Sequence, residues 1–145
     1  MKSGPAFPEA LHVSRELGID ISAHRSRSLD GVDLSAADLV IGFERDHAAM
    51  AVIDAGADRR RTFLLAELAR YLEQLQLRPD PDVVERASRA VQEAAVLRIQ
   101  LGMPPAEEIL DPYGGSDRDY RQAGARIADL TSRLTRILFM PNQER

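Results

Sequence analysis

The stretch Asp111-Pro112-Tyr113-Gly114-Gly115-Ser116-Asp117 holds the residues of this 145-residue chain best suited to chemistry. An acid fixed by a following proline, beside an aromatic ring and ahead of a long helix, is placed as a general acid. The same residues also make an ordinary turn, since Asp-Pro and Gly-Gly pairs form turns and Asp117 is placed to cap the helix. The two readings are compatible, with Asp111 functional and Asp117 the cap. His24-Arg25-Ser26-Arg27-Ser28 is a second polar cluster. His24 can orient a neighbouring loop by hydrogen bonding and the arginines can meet phosphate, but a solvated loop accounts for the same residues. His12 and His47 fall in helical segments with no partner at metal-ligand spacing, so no metal site is expected. Asp80-Pro81-Asp82-Val83-Val84 fits D-x-D-x-[TV], a phosphoaspartate pattern that must follow an apolar strand. Here it follows Leu77-Arg78-Pro79, so Asp80 or Asp82 reads as the start of the next helix. The sequence has no G-x-x-x-x-G-K-[ST], G-x-G-x-x-G or G-x-S-x-G.

Composition narrows the chemistry further. The chain has no cysteine, which removes disulfides, thiolate nucleophiles, zinc–thiolate sites and iron–sulfur clusters together. Nineteen basic against 23 acidic residues give a net charge of −4. That excludes a generic nucleic-acid binder and a polybasic membrane-surface patch. No apolar run approaches the roughly 20 residues of a spanning helix. Met1-Lys2-Ser3-Gly4 opens no apolar leader, so the expected location is the cytoplasm. No cofactor is expected.

These residues must be positioned by a short series of elements. Pro8 opens a first helix with Phe7, Ala10, Leu11 and Leu17 on one face, stopped at Gly18. Asp38 to Phe43 is a continuous apolar run and predicts a strand covered on both faces. Glu44 to Asp54 is predicted helical, Thr62 to Leu65 a second strand, and Glu67 to Leu75 a helix. Strand, helix, strand, helix is the order of a parallel α/β layer. Val83 to Leu101 and Asp117 to Phe139 are predicted as long helices, the last with Tyr120, Ala123, Ile127, Leu130, Leu134 and Ile137 in one stripe. Two parallel strands alone do not make a stable sheet, so the pattern looks incomplete on its N-terminal side.

Together the pieces resemble the low-molecular-weight protein tyrosine phosphatase family, which also includes thioredoxin-coupled arsenate reductases. The matching stretches are Gly18 to Leu29, Ala37 to Phe43, Phe63 to Leu68, and Ile109 to Asp117 with the terminal helix. They occur in the family's order and cover about residues 4 to 139 of one domain, 1 to 145. The resemblance implies a four-stranded parallel sheet flanked by helices, of the phosphotyrosine protein phosphatase I type, of which this chain lacks the first two strands and the phosphate loop. It implies Asp111 as the general acid, Tyr113 as a wall of the aryl (substrate-binding) pocket, and His24 as part of the network bracing the phosphate loop. The partner it implies is a phosphotyrosine protein.

The family begins with a strand, a C-x5-R phosphate loop, a helix and a second strand, which have no counterpart in this sequence. About forty residues, the size of a βαβ unit, are thereby lacking. In the implied reaction a low-pKa thiolate attacks phosphorus in line, while loop N–H groups and the loop arginine hold the phosphoryl oxygens. The acid then protonates the leaving phenolate. Only the proton donor is retained, so the chain as given is expected to be inactive. Three accounts follow: a truncated record of an active phosphatase, a non-catalytic pseudoenzyme that binds a partner, or a degenerate product. An arsenate-reductase-like ancestry stays open, although arsenate reduction needs redox thiols. A further expectation is an oligomer or a loosely packed state, formed through the open edge of the Leu39-Val40-Ile41-Gly42-Phe43 strand.

Overall fold

In the computed structural model, which describes residues 4–78, 80–102 and 107–140, the chain forms five α-helices and two short strands. Helix α1 spans Pro8–Glu16, β1 Val40–Gly42, α2 Arg45–Ile53, β2 Thr62–Leu64, α3 Leu65–Leu72, α4 Val83–Leu101 and α5 Asp117–Phe139. Met1 to Ser3 and Pro79, which entered the reading of the sequence, lie outside the described residues. Among the described residues, no helix is long and apolar enough to cross a membrane.

The strands pair in parallel, with Val40 opposite Thr62, Ile41 opposite Phe63 and Gly42 opposite Leu64. A parallel pair needs a crossover between its strands, and α2 supplies it. The order strand, helix, strand, helix is therefore as the apolar runs predict. The strands are shorter than those runs. Only three residues of Asp38 to Phe43 are extended and paired, because β1 has one neighbour among the described residues.

Helix boundaries follow their local chemistry. Asp82 caps α4, its Oδ1 accepting from Val84 N at 2.8 Å and Glu85 N at 3.1 Å. Of the two aspartates of the D-x-D-x-V stretch, Asp82 thus starts the helix, while Asp80 Oδ1 accepts from Asp82 N at 2.9 Å. Helix α3 begins at Leu65, two residues earlier than predicted, where the Glu67 carboxylate accepts from Leu64 N at 3.2 Å. Asp117 is not the cap of α5. Ser116 is: its Oγ faces Asp119 N, and Asp119 Oδ2 accepts from Ser116 N at 2.8 Å. This reciprocal pair satisfies Ser116 N, while Asp119 N also donates to Ser116 O at 2.9 Å. Asp117 becomes the first helical residue, where a negative charge meets the positive end of the helix dipole.

The core lies where α3, α4 and α5 converge on β2. Phe63, Leu68, Leu72, Ala90, Ala94 and Leu130 are almost fully buried there, with Leu134 and Leu138 continuing the α5 stripe. Burial of each large apolar side chain contributes about 1.5–3 kcal/mol. Arg98 ties α4 to β2. Its guanidinium stacks 4.3 Å over the Phe63 ring and donates to Thr62 O at 2.9 Å and Arg59 O at 2.6 Å. Arg86 fastens the end of α5 by donating from Nε to Leu138 O at 3.3 Å. Tyr71, buried in the same core, reaches Gly102 O with its hydroxyl at 3.3 Å.

Candidate functional site

The C-terminal end of β1 is the point at which the Asp111 loop is anchored. Ile109 N donates to Phe43 O at 2.9 Å, carrying the backbone across the end of the strand. Two glutamates then cross-link the loop to the start of α2. Glu108 Oε1 accepts from Arg45 N at 2.8 Å, and Glu44 Oε1 accepts from Asp111 N at 3.2 Å. Neither glutamate is evident from the sequence as a site residue. The available signal is position, since Glu44 stands just past a parallel strand, where α/β folds place their ligands.

Asp111 is solvent-exposed, and its Oδ1 accepts from Tyr113 N at 3.0 Å. This Asx-type turn fixes the carboxylate and leaves Oδ2 outside it. The loop closes when Gly115 N donates to Pro112 O at 2.8 Å. Gly114, at φ +77°, turns the chain in the left-handed region. A Cβ on Gly115 would sit 2.9 Å from both Pro112 O and Asp119 Oδ2. The two adjacent glycines therefore answer different demands, one conformational and one steric.

The Tyr113 ring is exposed but lies against Phe7, with centroids 4.9 Å apart and planes tilted by 41°. Phe7 immediately precedes α1, so the aromatic pair joins the first helix to the acid loop. Tyr120, one turn into α5, is buried. Burial pushes its phenol up from the ordinary value, and the negative charges of Glu9 and Asp111 add to the effect.

Below the loop runs an apolar cleft of about 980 Å³. Its walls are α1 through Phe7, Ala10, Val13 and Leu17, and α5 through Ala123, Gly124, Ala128, Thr131, Ser132 and Thr135. Phe43 and Ile109 close the side toward β1, and Glu44, His47 and Asp111 bring polar groups into the lining. Helix α1 packs tightly on α5 at Gly124, where a Cβ would approach Val13 Cγ1 to 2.7 Å. A smaller recess of about 420 Å³ lies on the Tyr113 side, bordered by Glu107, Glu108, Asp111, Tyr113 and Asp119.

Asp111 and Tyr113 are therefore brought together on one loop at the end of β1. His24 is placed elsewhere, on an exposed turn outside the residues lining the cleft. Its N–H donates to Ile21 O at 3.0 Å and its carbonyl accepts from Arg25 Nη1 at 2.7 Å. The adjoining backbone is held by Gly4 and Pro5, with Ser26 N donating to Gly4 O at 2.9 Å and Pro5 bridging to Arg25. Among the described residues, no group of three His, Asp or Glu is arranged to hold a metal ion. The arrangement offers a positioned carboxyl group, an aromatic pair and an apolar cleft, in a chain without a thiol. Comparison with protein-family models, with curated proteins and with solved structures finds no match for this chain.

Proposed function

We propose that the chain is the acid-bearing part of a domain of the low-molecular-weight protein tyrosine phosphatase type, with the corresponding parallel sheet and flanking helices. In this reading Asp111 donates a proton to the phenolate leaving a phosphotyrosine, and Tyr113 lines the aryl side. His24 stiffens the turn on which a phosphate loop rests. A reducing, cytoplasmic setting suits a family whose nucleophile is a free thiolate.

The observation that most supports the reading is the tethering of the Asp111 loop to the C-terminal end of β1. Glu44 holds the backbone of Asp111, and Tyr113 N holds one of its carboxylate oxygens. The remaining oxygen is free to carry a proton to a group bound at the strand end. The chain supplies no nucleophile to match that acid. A phosphoryl group cannot be passed to a cysteine the sequence does not contain, and loss of a nucleophile costs many powers of ten in rate.

The test is paired. Pure chain incubated with p-nitrophenyl phosphate at mildly acidic pH should release no p-nitrophenol. A fusion placing the strand, Cys-x5-Arg loop, helix and strand of an active low-molecular-weight phosphatase before Gly4 should release it. A Cys→Ser change in the added loop should abolish that release. Turnover by the chain alone, lost in Asp111→Ala, would reveal a nucleophile within it. An inactive but folded fusion would argue against the proposed role.

A further inference from the structure

We propose, resting on the phosphatase reading, that Glu44 is a positioning residue for the proton transfer assigned to Asp111. Its carboxylate is diverted from the helix it begins in order to fix the place of the acid.

Glu44 stands at the N-cap of α2, a position that Ser, Thr, Asp and Asn serve best. It makes no side-chain cap hydrogen bond there. Its Oε1 instead accepts from Asp111 N at 3.2 Å, 67 residues along the chain. The first free donor of α2, Arg45 N, is satisfied from outside the helix, by Glu108 Oε1 at 2.8 Å. Each segment thus supplies the carboxylate that accepts the other's backbone N–H. A third bond, Ile109 N to Phe43 O at 2.9 Å, runs backbone to backbone beside them. A residue that serves its own helix poorly while fixing a distant loop breaks a local rule, and such departures gather at functional sites.

The place of the Glu44 contact matters more than the number of contacts. Glu108 and Ile109 already moor the loop ahead of the acid. Asp111 N is the donor closest to the carboxyl group that can be tied to the rest of the fold. Pro112 has no N–H, and Tyr113 N is taken by Asp111 Oδ1 itself at 3.0 Å. Glu44 reaches this donor because the chain turns tightly out of β1. A Cβ on Gly42 would lie 3.2 Å from Ala48 N and from His47 Cβ, so glycine lets α2 fold back closely against the strand end. A general acid must stand within hydrogen-bond reach of the oxygen it protonates. Misplacement by about 1 Å can cost about a hundredfold in rate.

The test uses two variants, in the chain and in the active fusion. Glu44→Asp is one methylene too short for Asp111 N but is a better cap for α2, so its thermal midpoint should not fall. Glu44→Gln keeps an oxygen acceptor at full length. In the chain, the Asp111 amide-proton resonance should move upfield in Glu44→Asp, while the Arg45 amide, held by Glu108, keeps its hydrogen bond. In the fusion, Glu44→Asp should slow phosphoenzyme formation from phenyl phosphate by about 10–100-fold. The loss for p-nitrophenyl phosphate should be much smaller, since its phenolate leaves without a proton. Glu44→Gln should recover most of the loss. In an Asp111→Asn fusion, Glu44→Asp should cost nothing further, because it acts through the acid. An Asp111 amide unmoved by Glu44→Asp, equal losses for the two substrates, or a full loss in the Asp111→Asn background would each overturn the proposal. The phosphatase reading is judged separately, by Asp111→Asn alone. If that variant shows no leaving-group dependence, the reading fails and the proposal with it. If it shows a strong dependence that Glu44→Asp lacks, only the proposal fails.

Discussion

Ser116 and Asp119 decide whether the acid loop keeps its shape, because their reciprocal hydrogen bonds end the loop and begin α5. Ser116→Ala should cost about 0.5–2 kcal/mol of stability, as losses of helix N-caps do. Urea denaturation measures it. The same contacts give a pH dependence. Hydrogen bonding from the Ser116 side chain and backbone lowers the Asp119 pKa. Asp58 and Asp80 are lowered in the same way, first by backbone N–H groups of their own turns. A folded pKa below the unfolded value gives stability that is present above the unfolded value, about 4, and is lost as pH falls through the folded one. Unfolding midpoints should therefore drop below about pH 4, and Ser116→Ala should flatten part of that drop. Tyr71 and Tyr120 act at the other extreme. Their pKa values are raised, chiefly by burial, so their contribution is complete below about pH 10 and lost as pH rises through the folded values. The acid and its aromatic neighbour were legible in the sequence as types in a loop. The capping residue was not, because Ser116 and Asp117 are both good caps and only the backbone geometry distinguishes them.

Helix α5 carries two faces with different tasks, and only one was legible in its sequence. The Leu130-Leu134-Leu138 face enters the core and declares itself by apolar periodicity. The opposite stripe of Gly124, Ala128, Thr131, Ser132 and Thr135 is small and mostly polar, so it reads as solvated surface, yet it forms a cleft wall. Gly124 is the clearest case. A lone glycine inside a helical pattern gives no sign that Val13 of another helix needs its space. Gly124→Ala should push α1 from α5 and cost about 1–3 kcal/mol, as overpacking does. Val13→Ala in the same chain should recover part of that loss, which a double-mutant cycle would measure. The link between α4 and β2 was equally hidden. Arg98 and Glu67 lie 3.9 Å apart with both side chains only 11% exposed. The arginine also donates to two backbone carbonyls. Arg98→Met should keep the bulk over Phe63 but lose these bonds, costing about 2–4 kcal/mol. Element order needed no such detail. Apolar runs and turn residues placed the α-helices and strands of the described residues, because those signals are local, whereas cleft walls are made by residues distant in sequence.

At the scale of the molecule, helices and core are assembled around a sheet of two strands. Among the described residues, a well-packed core on α3, α4 and α5 coexists with an open cleft, and β1 has one strand neighbour. The functional account requires a thiolate-bearing phosphate loop that stands opposite Asp111. Its central claim is that Asp111 delivers a proton to the leaving oxygen, and leaving-group dependence in the active fusion tests this most directly. Asp111→Asn should slow phosphoenzyme formation by about 10²–10⁴-fold for phenyl phosphate, whose phenolate needs a proton to leave. For p-nitrophenyl phosphate, whose phenolate is already a good leaving group, the loss should be much smaller. Equal losses for the two substrates would mean that Asp111 only shapes its loop, and would contradict the account.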